Sequence, residues 1–294
     1  MFSGFEQGIA EVNGTQINYV RGGSGPALLL LHGHPQTHVI WHKVAERLAS
    51  RFTVVAADLR GYGDSAKPAG LLDHSNYSKR SMGQDQIALM AQLGYPQFLL
   101  MGHDRGGRVA YRMALDHPAA ISKLVLLDIA PTLAMYEQTS LAFATAYYHW
   151  FFLIRPEPFP ELLIGSHPEE YLKHTIGGRS AGLAPFTQDA YAEYLRCLSD
   201  PATIHGICED YRASAGIDLE HERADLAAGN KIQCETLVLW GANGVIEKCF
   251  DPMQEWLQLV PVQHLKGKAL ACGHYIPEEA PDALLAEVLP FFAI

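Results

Sequence analysis

Apolar positions along the chain fall into two textures. In the first, short unbroken apolar runs alternate with helical spacing. Thr15 to Val20 reads as a strand, and Gly22-Gly23-Ser24-Gly25 as a turn cluster. Ala27 to Leu31, Phe52 to Ala57, Phe98 to Met101 and Lys123 to Leu127 are continuous apolar or nearly apolar runs, the pattern of strands covered on both faces. Between them, Trp41 to Ala49 and Arg80 to Leu93 have helical spacing, with Met82, Ile87, Met90 and Leu93 on one face and Gly94 closing the second helix. Val109 to Asp116 continues as a helix. Strands alternating with helices predict a mostly parallel central sheet flanked by helices.

The second texture begins after Pro131. Residues 132–228 are rich in aromatics and proline, keep helical periods and contain no clear buried strand. The strand rhythm resumes at Thr236 to Trp240, followed by a helix from Met253 to Leu259, a short strand near Leu265, the loop Cys272-Gly273-His274-Tyr275 and a helix from Pro281 to Phe292. The expected organisation is therefore a core of residues 1–131 and 229–294 interrupted by a helical cap, 132–228.

Composition narrows the class. The 294 residues are 48% hydrophobic and 18% charged, ample for a globular core. A net charge of −10 without any Lys/Arg-rich run argues against nucleic acid and leaves an anionic ligand dependent on local positive charge. The five cysteines are scattered with no C-x-x-C pair, which suits a reducing compartment. The start Met1-Phe2-Ser3-Gly4-Phe5-Glu6 lacks a signal-peptide pattern, and no apolar run approaches the ~20 residues that span a bilayer. A cytoplasmic protein is expected, with no membrane partner.

Candidate chemistry centres on Phe98 to Arg108, where the strand ends in Gly102-His103-Asp104-Arg105-Gly106 and a helix follows. This is the strand, sharp turn and helix in which an α/β-hydrolase carries its nucleophile, with aspartate standing where serine is usual. A carboxylate nucleophile attacks carbon by displacement and leaves an ester on the enzyme, so the expected chemistry moves from acyl transfer to carbon–halogen or epoxide cleavage. That ester needs a water-activating base. His274, in the loop before the last helix, occupies the place this fold gives to its histidine. An acid usually follows the strand ending Trp240-Gly241, but Ala242 to Ile246 contains none, and Asp128 at the end of the preceding strand is assigned instead to orient His274. Backbone N–H groups of His34 and Arg105 are expected to stabilise the oxyanion. Arg105 and Arg108 flank the nucleophile, and their forked donors match the carboxylate of a short acid whose α-carbon faces Asp104. They are expected to serve substrate binding far more than fold stability, and Arg112 reads as a surface arginine.

Gly102 to Arg108, Ala57 to Asp64, Met113 to Pro118 and Asp210-Tyr211-Arg212-Ala213 together resemble the fluoroacetate dehalogenases, over most of the chain and most specifically around Asp104. The resemblance implies an α/β-hydrolase homodimer that converts haloacetate, fluoroacetate or chloroacetate, to glycolate and halide, with no metal or cofactor. It implies Asp104 as nucleophile, His274 as base, Asp128 as its partner and the two arginines as carboxylate ligands. It also implies a halide pocket of His149, Trp150 and Tyr211, which otherwise read as the aromatic core of a helical cap. Two departures stand out: His34 replaces the usual phenylalanine, and Gly177-Gly178-Arg179 lacks an expected aromatic. An epoxide hydrolase using the same Asp/His pair, with Tyr147, Tyr148 and Tyr211 as candidate acids, is the nearest alternative. A non-catalytic ligand-binding member of the fold is a further one. A haloalkane dehalogenase fits less well, because Arg105 stands where those enzymes typically place a tryptophan.

Overall fold

The computed structural model describes residues 1–178 and 181–293. Eight strands form one sheet: β1 (Glu6–Val12), β2 (Thr15–Gly22), β3 (Ala27–Leu31), β4 (Thr53–Ala57), β5 (Phe98–His103), β6 (Ile121–Leu127), β7 (Glu235–Gly241) and β8 (Leu265–Leu270). Their order is β1-β2-β4-β3-β5-β6-β7-β8. The β1/β2 and β2/β4 pairs are antiparallel and all the others parallel. β3 to β7 form the middle of the sheet, and β3 and β4 are buried at every position, as their unbroken apolar runs require.

Strand β1 is the element the apolar pattern does not announce. Its sequence, Glu6-Gln-Gly-Ile-Ala-Glu-Val12, is an edge strand with Ala10 and Val12 buried and Ile9 exposed, so burial selects only two side chains and leaves little pattern. Elsewhere the differences are at boundaries. The stretch 41–49 is a short turn of helix at His38–Trp41 and a second at Ala45–Ala49. The helix after β5 starts at Arg105, four residues before Val109, because Arg105 and Arg108 are buried inside it and polar letters had masked its first turn.

The sheet order reverses beside β3: the chain goes from β3 to β4 on one side, then crosses to β5 and continues outward through β8. The carboxyl ends of β3 and β5 therefore border the crevice where α/β sheets bind ligands. The register sets Leu31 beside Gly102 and His103 beside Leu127, so the loops that carry His34, Asp104 and Asp128 leave the sheet side by side. From β6 to β7 the described residues of 132–228 form eight helices, from Thr132–Glu137 to Ile217–Ala228, and no strand.

Close backbone approach fixes the turn after β5. A Cβ on Gly106 would lie 2.4 Å from the carbonyl oxygens of His32 and Leu31, and one on Gly102 would lie 2.5 Å from that of Gly106. Helix and strand pass with no room for a methyl group. Gly106→Ala is therefore expected to cost on the order of 1–3 kcal/mol or more, as overpacking does. Gly165→Ala, whose Cβ would meet only Ile204 at 3.7 Å in a helix, is expected to be neutral or stabilising by about 0.5–1 kcal/mol. Chemical denaturation of the two variants checks the contrast.

Candidate active site

Asp104 follows β5 with φ +46° and ψ −114°, a conformation held by the strand before it and the helix Arg105–Asp116 after it. Non-glycine residues rarely adopt positive φ, and an aspartate held there at a sheet's carboxyl edge marks a constrained site. Its carboxylate points back across the β3 loop. Oδ2 accepts a hydrogen bond from the His34 N–H at 3.0 Å. Gly33 makes the space, since a Cβ there would lie 2.5 Å from the Asp104 Cβ and 2.8 Å from Oδ2. Arg105 opens the helix, so its N–H has no carbonyl one turn back to reach.

Asp128 leaves β6 with a second positive φ, +51°. Its Oδ2 is 2.6 Å from His274 Nδ1, and its Oδ1 accepts from the Gly241 N–H at 2.8 Å. The missing acid after Trp240 is thus replaced in space: Asp128 uses the backbone at the end of β7 and turns its other oxygen to the histidine. Tyr147 Oη lies 3.4 Å from the same ring nitrogen. Nε2 of His274 is buried and has no hydrogen-bond partner among the described residues. His103 joins the two loops, with Nε2 2.8 Å from the His274 carbonyl oxygen. Asp104 and His274 are each only 2% exposed.

Both arginines are buried, and one is heavily engaged. Arg105 donates from Nε to Asp210 Oδ2 at 2.8 Å and from Nη2 to Asp210 Oδ1 at 2.8 Å, and it also donates to Ser214 Oγ. Its guanidinium lies 4.0 Å from the Tyr211 ring centroid. Arg108 donates from Nη1 to the Ala130 carbonyl at 3.1 Å and to Thr132 Oγ1 at 2.9 Å, and its guanidinium lies 4.6 Å from the Trp150 ring. The expectation that these arginines matter little for folding is corrected for Arg105, whose fork holds a buried carboxylate from the helix Pro201–Ala215. Arg112 is corrected too: it is buried and paired with Asp225 and Asp116. Its helical neighbours gave it the look of a solvated face.

The candidate halide residues come together above this floor. His149, Trp150 and Tyr211 are all buried, with Tyr211 5.7 Å from the His149 ring and 6.4 Å from the Trp150 ring. The His34 ring joins them, 5.5 Å from Tyr211 and 6.0 Å from His149, with Nε2 3.1 Å from Tyr171 Oη. The polar residue at position 34 therefore joins this cluster and bridges to the helix Pro168–Gly177. Tyr148 is partly exposed, with its ring 5.7 Å from that of His174 and 6.0 Å from that of His149. Gly178 lines a cavity of about 190 Å³ with Tyr148, His149 and His174, while Arg179 lies outside the described residues. Among the described residues no cluster of His, Cys, Asp and Glu has the arrangement of a metal site.

Asp210 and Lys79 escaped sequence reasoning. Asp210 sits in a motif with Tyr211, but nothing in a single sequence pairs it with an arginine 105 positions away. Its Oδ2 also accepts from Tyr62 Oη at 2.6 Å, and Lys79 Nζ donates to Oδ1.

A match to the alpha/beta hydrolase fold model covers residues 26–281, and the chain belongs to that family. Within it, the likeness to the fluoroacetate dehalogenases extends over nearly the whole chain. The chain is 46% identical over 283 residues to a fluoroacetate dehalogenase from Burkholderia sp., covering 96% of this chain and 92% of that protein. It is also 33% identical to a soluble epoxide hydrolase from Corynebacterium sp. (strain C12), covering 97% and 96%. The crystal structure of an alpha/beta hydrolase from Nostoc sp PCC 7120 superposes with a TM-score of 0.97 at 53% identity, covering 100% and 99%.

Burial alone would raise the pKa of Asp104, but His274, His103, Arg105 and Arg108 together hold it well below the usual carboxylate range. A depressed folded-state pKa stabilises the fold above the unfolded value, about 3.9 for aspartate, and that contribution is lost as pH falls through the folded value. Asp104 is therefore expected to stay ionised at pH 4. The ¹³Cγ chemical shift of labelled enzyme, compared with Asp104→Asn for assignment, measures this. A titration midpoint at or above 4 contradicts the electrostatic account.

Proposed function

We propose that the protein hydrolyses the carbon–halogen bond of a haloacetate, fluoroacetate or chloroacetate, to give glycolate and halide through an ester on Asp104. The observation that carries this reading is the aspartate at the β5 turn with two buried arginines on the helix that follows it. The relative from Burkholderia supports the substrate class.

In the first step Oδ1 of Asp104 attacks the α-carbon, since Oδ2 is held by the His34 N–H. The C–O bond forms as the carbon–halogen bond breaks, and the halide leaves with the bonding pair toward His149, Trp150 and Tyr211. Fluoride is strongly hydrated, so N–H and O–H donors in place of water lower the barrier to its departure. In the second step His274 Nε2 takes a proton from water, whose oxygen attacks Cγ of Asp104. Asp128 holds the ring and stabilises the imidazolium. The oxyanion at Cγ faces the N–H groups of His34 and Arg105. Collapse expels glycolate, whose oxygen takes the proton back from His274 Nε2, and loss of the remaining proton to solvent restores the Asp104 carboxylate.

In this reading residues 132–228 act as a cap that closes the site from water, and the arginines select a small anion. A cytoplasmic homodimer belongs to the same proposal. The steps use water and the chain's own side chains. The alternative with support is an epoxide hydrolase: the Corynebacterium relative is one, and Tyr147, with Oη 3.4 Å from His274 Nδ1, and Tyr211, packed beside His149 and Trp150, are its candidate acids.

Halide release from fluoroacetate and chloroacetate, assayed beside diol formation from a neutral epoxide, separates the two. Halide without diol is expected, and diol without halide overturns the proposal. His274→Asn is expected to slow ester hydrolysis by about 10²–10⁴-fold while still forming the ester. Intact-protein mass spectrometry after chloroacetate treatment then shows an adduct of one carboxymethyl group. An inactive variant with unmodified mass would remove His274 from the second step alone.

A further inference from the structure

The two arginines beside Asp104 differ in what neutralises them. Both oxygens of Asp210 are saturated: Oδ1 accepts from Arg105 Nη2 and Lys79 Nζ, and Oδ2 from Arg105 Nε and Tyr62 Oη. Lys79 has a second carboxylate in Asp218, 3.4 Å away. Two cations and two anions close this buried cluster. Arg105 is left with Nη1 as its only donor without a partner among the described residues.

Arg108 makes no such pair. Its partners are the Ala130 carbonyl, the Thr132 hydroxyl and the Met135 sulfur, and its Nε has none among the described residues. The carboxylate its hydrogen bonds lead to is two side chains away: Thr132 Oγ1 is 2.8 Å from Tyr111 Oη, which donates to Glu222 Oε2 at 2.7 Å. A cation buried without an ion-pair partner holds a standing preference for an anion that can reach it.

We infer that Asp210, backed by Lys79, is a positioning residue that neutralises Arg105 and fixes it with one donor to spare, while Arg108 is the cation that selects an anionic substrate. The arginines thus divide the work. Arg105 supplies geometry, since its bidentate pair with Asp210 leaves its orientation no freedom. Arg108 supplies net charge. The inference deepens the proposed haloacetate reading and rests on it for the substrate's identity, but not for the anion preference of the site.

The test uses acetate as a probe that has the carboxylate and no leaving group, with acetamide as its neutral counterpart. Binding is measured by calorimetry and ligand-free stability by thermal unfolding. Wild type is expected to bind acetate and not acetamide. Arg108→Gln is expected to lose at least about 50-fold in acetate affinity, with a smaller fall in ligand-free Tm than Arg105→Gln shows. Arg105→Gln is expected to lower the ligand-free Tm by about 5 °C or more, because it strips a buried carboxylate of its main partner. Adding Asp210→Asn to that variant is expected to recover at least about half of the loss, the signature of a coupled pair.

For the positioning role, Asp210→Asn is expected to raise KM for chloroacetate at least about tenfold, with Asp210→Glu closer to wild type. Acetate binding retained by Arg108→Gln overturns the division of labour, as does an Asp210→Asn enzyme with wild-type KM. If Arg105→Gln does not fold, the Arg108→Gln and Asp210 variants still decide. Wild type that binds acetate but releases no halide refutes the haloacetate reading and leaves this inference standing. Wild type that releases halide but shows no preference for acetate over acetamide does the reverse.

Discussion

The constraint on which the site depends is charge balance among buried side chains. Asp104, Asp128 and Asp210 are buried together with Arg105, Arg108 and Lys79, so opposite charges offset one another out of bulk solvent. Burial pushes the Asp210 carboxyl up, but Arg105 and Lys79 outweigh it and hold it ionised. The same logic keeps Asp104 a carboxylate, as the proposed nucleophile must be. The Arg105–Asp210 pair is also a mechanical link. It ties the helix behind Asp104 to the helix Pro201–Ala215, which carries Tyr211 above the pocket. A single ion pair thus sets the charge of the floor and the position of part of the roof.

The backbone solves a matching problem. The two carboxylates closest to the chemistry both have positive φ, which lets Asp104 turn back over Gly33 and Asp128 reach sideways to the end of β7. Asp128 shows how the fold can bring an acid from a different strand: its Oδ2 lies 2.6 Å from His274 Nδ1 although it leaves β6 and not β7.

Much of this was legible in the sequence, because its signals are local. The unbroken apolar runs mark β3 to β7, and glycines on either side of Asp104 mark a turn that only they can make. The missing carboxylate after Trp240 directed attention to Asp128, and the structure brings that residue to His274. What was not legible depends on partners distant in the chain. Arg112 looks solvated until Asp225 is placed beside it. Arg105 looks like a free substrate ligand until Asp210 takes most of its donors. Strand β1 escaped because an edge strand buries too few side chains to leave a pattern. In each case one sequence states the residue type and omits its counter-ion or neighbour.

The central claim is that Asp104 forms and then loses an ester with the substrate. Its most direct measurement is a single turnover of haloacetate in H₂¹⁸O with enzyme in excess, followed by mass analysis of the peptide containing Asp104. Attack of water on the ester carbonyl places one ¹⁸O atom in Asp104 and none in the first glycolate released. Glycolate that carries the label from an enzyme whose Asp104 remains unlabelled would mean that water attacks the substrate directly, and the account of this site would fail.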